Sequence, residues 1–241
     1  MHQPQPTLIP THYLPPPPQN RPRPQQGEWP IPHFRLRVED LSHPGAQLFF
    51  EQVNPLQSLH NAVVEVFKDL YTPDTVPQEV ETVVLVLRSM PGVAHTTGAE
   101  IYKEIHFSLE YLQQQRSSSR ARDEINGVLV HEMVHCFQYN GKRKCPGGLI
   151  EGIADWVRLQ ADLRPPHWRE GRGRTWDEGY EATAFLLDWI ESKYGQGIVR
   201  NLNLTMRDRQ YDDEIFREQT GRSITTLWKE YREYIDRVPK A

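Results

Sequence analysis

A helix that carries His131 and His135 four residues apart, with Glu132 between them, constrains this chain more than any other feature. In His131-Glu132-Met133-Val134-His135 the two imidazoles fall on one helical face, because side chains four apart lie one turn apart in space. Both can therefore reach one ion. Glu132 lies about 100° further round, near enough to take a proton from a water activated by that ion without being a ligand. That is the physical content of H-E-x-x-H: two zinc ligands and a general base on one rigid element. Catalytic zinc also needs a third protein ligand and an open fourth position. Leu149-Ile150-Glu151-Gly152-Ile153-Ala154-Asp155 follows after a short Gly/Pro loop and reads as a second helix. It offers Glu151 as that ligand. Asp155, one turn on, is placed to accept the second ring N–H of a liganding histidine, which fixes the ring's tautomer and orientation.

Such a pentad arises by chance in some chains of this length, so its surroundings carry the argument. Ile125, Val128, Leu129, Val134 and Phe137 give an amphipathic helix with apolar residues to bury. Ser117-Ser118-Ser119 supplies N-cap candidates and Asn140-Gly141 an end. The expected chemistry is zinc-dependent peptide hydrolysis, with Zn2+ on His131, His135 and Glu151 and Glu132 carrying the proton to the leaving amine. The developing oxyanion wants one more donor. Tyr180, in Trp176-Asp177-Glu178-Gly179-Tyr180, is the candidate, and on spacing alone it reads equally well as a core tyrosine. Cys136 follows His135 directly and points about 100° away from it, which suits a small buried side chain better than a ligand. Cys136 and Cys145 are too few for a disulfide framework and are read as reduced.

Net charge is −4 and the sequence pI near 6.2, so there is no electrostatic case for nucleic acid or an anionic membrane. No apolar run approaches the roughly 20 residues of a membrane span. Met1-His2-Gln3-Pro4-Gln5-Pro6 shows no basic region followed by an apolar one. The expectation is a cytoplasmic protein, with secretion by a non-standard route left open.

Residues 1–32 form a Pro/Gln-rich tail with Pro15-Pro16-Pro17-Pro18 and Arg21-Pro22-Arg23-Pro24. It has too little apolar surface to offset its ordering entropy, so it is expected to be disordered ahead of one folded domain over 33–241. A proline-recognition partner is one use for it; a tail without a specific partner is the simpler one.

Within the domain, Phe34, Leu36 and Val38 alternate as a strand, and Leu56 to Leu70 keep helical spacing up to Pro73. Val83–Leu87 reads as a buried strand, with shorter strands at Val93–Thr97 and Ile105–Ser108. One of the shorter two is expected to be an edge that pairs with an extended substrate, and the sequence does not say which. Helices follow at Glu178–Tyr194, Ile198–Met206 and Asp213–Gln219, and a last one starts at Ser223. Strands and a helix first, then helices, define an α+β fold: a small mixed sheet on the H-E-x-x-H helix, then a mostly helical C-terminal half.

The subclass follows from what comes after the motif. A metzincin would continue with Gly and His where this chain has Gln138 and Gly141, so that third-histidine design is excluded. Glu151 with Asp155 looks like the gluzincin pattern instead. Val130 to Gln138, then Pro146 to Leu159 with its Glu-Gly-Ile-Ala-Asp core, closely resemble the plant basic secretory protein family, also described as peptidases of plants and bacteria. Trp176 to Leu186 looks like that family's next signature, and Gly92-Val93-Ala94-His95-Thr96 and Ile105-His106-Phe107-Ser108 are similar too. The resemblance covers roughly Val80 to the last helix. It implies a zincin-like fold, a zinc site at His131, His135 and Glu151, and Glu132 as catalytic acid/base; the peptidase chemistry itself points to a peptide or protein substrate.

Two other readings stay open. One is a non-catalytic, defence-related binding module on the same fold that docks partners through the tail. The other is a zinc hydrolase acting on a non-peptide amide. Glu132, which a purely structural zinc site does not need, favours an enzyme.

Overall fold

A computed structural model of the chain describes residues 29–237, so the expected disordered tail lies, up to residue 28, outside the described residues. Four strands, β1 (His33–Val38), β2 (Thr82–Arg88), β3 (Ala94–Gly98) and β4 (Tyr102–Ser108), form one mixed sheet in the order β1-β2-β4-β3. β1, β2 and β4 run parallel, and β3 closes one side antiparallel to β4. Parallel neighbours require a crossover, supplied between β1 and β2 by α1 (Pro44–Gln52) and α2 (Pro55–Leu70). Val83, Leu85 and Leu87 of β2 enter the main core, as a β-branched run between two parallel neighbours should. The edge strand over the site is β3, not the Ile105–Ser108 segment, which lies inside the sheet as part of β4.

Beyond β4 the chain is helical: α3 (Leu109–Gln114), α4 (Ala121–Phe137), α5 (Gly147–Gln160), α6 (Tyr180–Tyr194), α7 (Ile198–Thr205), α8 (Glu214–Thr220) and α9 (Ile224–Arg237). The arrangement is α+β, as the order of elements implied. None of the described helices is long and apolar enough to cross a membrane.

α4 carries the H-E-x-x-H motif and is the central strut. It packs on α2, α5, β3 and β4 at once. It is therefore buried nearly all round, from Ile125 through Val130, Met133, Cys136 and Phe137, rather than amphipathic. Its ends also differ from expectation. Residues 115–117 form a 3-10 turn, so α4 starts after Arg120 without a side-chain cap, and Ser118 Oγ accepts from the Arg120 N–H instead. It stops at Phe137, short of Asn140-Gly141, because Gln138 turns extended to bond across to α5. Tyr71 Oη donates to the Phe137 carbonyl at 2.7 Å, satisfying one of the helix's terminal acceptors.

α5 and α6 pack most closely of all. A Cβ on Gly152 would lie 2.3 Å from Thr183 Cγ2, so the two helices meet backbone to side chain without a spacer. α6 begins at Tyr180, two residues later than the pattern suggested, after Gly179 at φ 94°. Ser223 does cap α9, its Oγ accepting from the Thr226 N–H at 3.2 Å. Neither α1 nor α3 was expected from the sequence.

Candidate metal centre

Helical spacing and the α4–α5 contact bring the three expected ligands together. His131 Nε2 lies 3.1 Å from His135 Nε2 and 3.1 Å from Glu151 Oε2, and His135 Nε2 lies 3.6 Å from the same carboxylate oxygen. Two nitrogen lone pairs and one carboxylate oxygen thus form a small triangle facing a cleft of about 870 Å³. Tetrahedral coordination with bonds of about 2.0–2.1 Å places ligand atoms roughly 3.3 Å apart, and this triangle fits that geometry. Its members are the described His, Cys, Asp and Glu residues grouped tightly enough to hold a metal ion.

The outer ring nitrogens are held as well. His131 Nδ1 meets Asp155 Oδ1 at 2.6 Å, and His135 Nδ1 meets Gln138 Oε1 at 3.0 Å. Gln138 cannot rotate freely, because its Nε2 donates to the Ile150 carbonyl at 3.1 Å. With acceptors on both Nδ1 atoms, each ring keeps a proton there and turns Nε2 inward, where an ion would take the place of any proton Nε2 carries.

Electrostatics agree that the pocket wants a cation. Burial opposes a charge on His131, but its bonds to Asp155 and Glu151 prevail and raise it to about 10. Burial likewise works against the Glu151 carboxylate, yet its contacts with His131 and His135 hold it well below the usual range.

Glu132 is buried beside the triangle, and its carboxylate accepts from Thr96 Oγ1 at 2.7 Å. The same hydroxyl stands 2.9 Å from the Glu132 carbonyl oxygen, so one proton serves two acceptors and ties the edge strand β3 to α4. Tyr180 lies at φ 47°, a left-handed conformation that is rare for a bulky side chain and strained. Its ring lies over His131, nearly parallel at 10° with centroids 6.3 Å apart. It is 59% exposed, which rules out the core-tyrosine reading. The Glu151 charge, then burial, raise its phenol, so the O–H stays a donor. Cys136 and Cys145 are both free thiols; burial raises Cys145 to about 12.

Thr96 and Gln138 were not foreseen as site residues. Gln138 had a local signal, since it follows His135 at helical i, i+3 spacing. Thr96 had none, because its bond to Glu132 spans 36 residues of chain.

Fold and site together define an α+β protein with a His-His-Glu metal-type cluster on a buried helix pair. The chain belongs to the basic secretory protein family, described as peptidase of plants and bacteria, whose family model matches residues 31–231. No curated protein and no solved structure matches it.

Proposed function

We propose that this protein is a zinc-dependent peptidase of zincin-like fold, which cleaves peptide bonds in the cleft between β3, α4 and α5. The carrying observation is that the His131, His135 and Glu151 triangle stands beside a buried Glu132 held by Thr96. A structural metal site has no use for that second carboxylate. His131, His135 and Glu151 would hold the zinc ion, which would supply Lewis acidity toward the scissile carbonyl and a water.

The rest is done by side chains. Glu132 takes the proton of the attacking water and returns it to the departing amine. Thr96 fixes the rotamer of that carboxylate. Asp155 and Gln138 keep both imidazoles in the tautomer that presents Nε2. Tyr180 offers its O–H to the oxyanion that develops on the carbonyl. The outer edge of β3, unpaired among the described residues and with Ala94 to Thr96 lining the cleft, gives an extended substrate backbone a strand to pair with.

Zinc stoichiometry of the purified protein, with cleavage of a mixed peptide library in the presence and absence of chelator, tests this reading. A protein that retains no zinc after loading, or cleavage that survives chelation, overturns it. Thr96→Val is expected to lower kcat about 10- to 100-fold, since hydrogen bonds to charged groups are worth about 1.5–3 kcal/mol. KM and zinc content should hold, and Thr96→Ser should restore most of the rate. Equal losses in the two variants would show that packing, not the hydroxyl, is at work.

A further inference from the structure

We infer that the same cleft contains a second recognition point, Arg158, which takes a carboxylate of the substrate about three residues from the bond that is cut. The inference rests on the peptidase reading above. Arg158 sits on α5 seven residues beyond Glu151, hence about 10 Å along the helix. Extended chain covers that distance in about three residues.

Two of the three guanidinium nitrogens are already engaged by protein. The Arg158 side chain is only 7% accessible. Nε donates to the Leu163 carbonyl at 3.0 Å, and Nη2 to Glu124 Oε2 at 2.8 Å. Glu124 is itself engaged by Tyr111 Oη at 2.7 Å. One neighbour of the guanidinium is the Trp168 ring, 5.4 Å from Cζ. Another is the backbone of Gly127, where a Cβ would stand 2.5 Å from Nε and 2.8 Å from Cζ. Glycine weakens a helix interior relative to alanine, and at position 127 it is what lets a planar cation lie across α4. The connection 161–179, which brings Trp168 to this place, is pinned in turn by α9: Tyr231 Oη accepts from the Gly171 N–H at 3.0 Å, and Arg232 bonds the Gly171 carbonyl.

What remains is Nη1. It has no protein acceptor among the described residues, and Arg158 lines the cleft that holds the metal triangle. A nearly buried cation with an open pair of N–H groups favours a charged acceptor, because charge-assisted bonds are the strong ones. The other ionic groups lining the cleft sharpen the choice. Glu132, Glu151, Asp155 and Glu181 are acidic, as is Glu124, which Nη2 already binds, while Arg158 is the one guanidinium or ammonium among the described lining residues. The acidic groups repel a ligand carboxylate from the walls, so away from the metal triangle Arg158 is the place in the cleft that holds one. Either an Asp or Glu side chain or the C-terminal carboxylate of a short peptide has the required chemistry.

The test is kcat/KM of the zinc-loaded wild type on matched peptides. One series moves a single Glu, against Gln, through the positions flanking the cleaved bond; the other compares a free with an amidated C-terminus at varied distance. The expected result is a preference of about tenfold or more for the carboxylate at one distance, near three residues. The first series reports a side-chain source and the second a terminal one. Arg158→Met combined with Glu124→Gln, which removes both partners and strands no buried charge, should bring that ratio to about one. Gly127→Ala should reduce it by displacing the guanidinium. Zinc content and a cooperative melt confirm that either variant is folded. Cleavage by the wild type with no carboxylate preference at any position overturns the subsite and leaves the peptidase reading standing. Failure to cleave any peptide overturns the peptidase reading and this inference with it.

Discussion

Glu132→Gln is expected to cut peptide hydrolysis by about 10²- to 10⁴-fold, the usual contribution of a positioned general base, while zinc stays bound at full stoichiometry. Glutamine matches glutamate in shape, and its amide oxygen can still accept from Thr96 Oγ1, now 2.7 Å from the carboxylate. Because Glu132 is not a member of the His131, His135 and Glu151 triangle, the substitution leaves the residues that would hold the ion untouched. The one property lost is the capacity to hold a proton in transit. Steady-state kinetics with metal analysis on the same sample checks both halves of the statement. Turnover near the wild-type rate would remove Glu132 from the mechanism. A loss of zinc in step with a loss of rate would make it a structural residue.

The parts of this site that were legible in the sequence are those written in local periodicity. His131 and His135 are one turn apart on α4, and Glu151 and Asp155 one turn apart on α5. Once two consecutive helices are read correctly, spacing alone puts each pair on one face, and a short loop leaves the faces little choice but to meet. Long-range contacts leave no such trace. Whether Val93–Thr97 or Ile105–Ser108 forms the edge depends on strand order, which places β4 between β2 and β3. Thr96 inherits that indeterminacy, since it reaches Glu132 only because β3 is the strand over α4.

Helix boundaries failed for a different reason. α4 has apolar residues on its motif side as well as opposite it, because sheet, α2 and α5 enclose it; periodicity sees an amphipathic segment where the fold makes a buried rod. α1 is short, capped by His43 Nδ1 accepting from the Gly45 N–H, and buries little beyond Ala46, Leu48 and Phe49. α3 follows β4 without a loop, with Ser108 serving both as the last strand residue and as the N-cap. Spacing alone leaves Tyr180 equally readable as an oxyanion donor or a core tyrosine. Its strained backbone and its stacking on His131 are properties of the fold, invisible in spacing.

Gly148→Ala should destabilise the protein by about 2–4 kcal/mol or more, where Gly147→Ala, its neighbour, should be neutral or slightly stabilising. Both glycines open α5. On helix propensity alone, alanine is better than glycine by about 1 kcal/mol in a helix interior, and somewhat less at an end. Surroundings reverse that sign at one position only. A Cβ at Gly147 meets nothing within 4 Å, whereas at Gly148 it would lie 1.7 Å from the Asp177 carbonyl oxygen, 2.5 Å from its carbonyl carbon and 3.0 Å from the Gly179 nitrogen. These are backbone atoms, and no flexible side chain can yield. The 177–179 segment has to move away from α5, and it leads straight into Tyr180 and the start of α6. For a domain of this size a loss of that magnitude lowers Tm by roughly 5–15 °C, readable in a thermal melt of the two variants side by side. Peptide cleavage should fall in Gly148→Ala even below its melting range, because the displaced segment carries Tyr180 away from His131. Equal melting temperatures and equal rates in the two variants would mean that this segment adjusts freely, and that its close seat against Gly148 does not matter to the site.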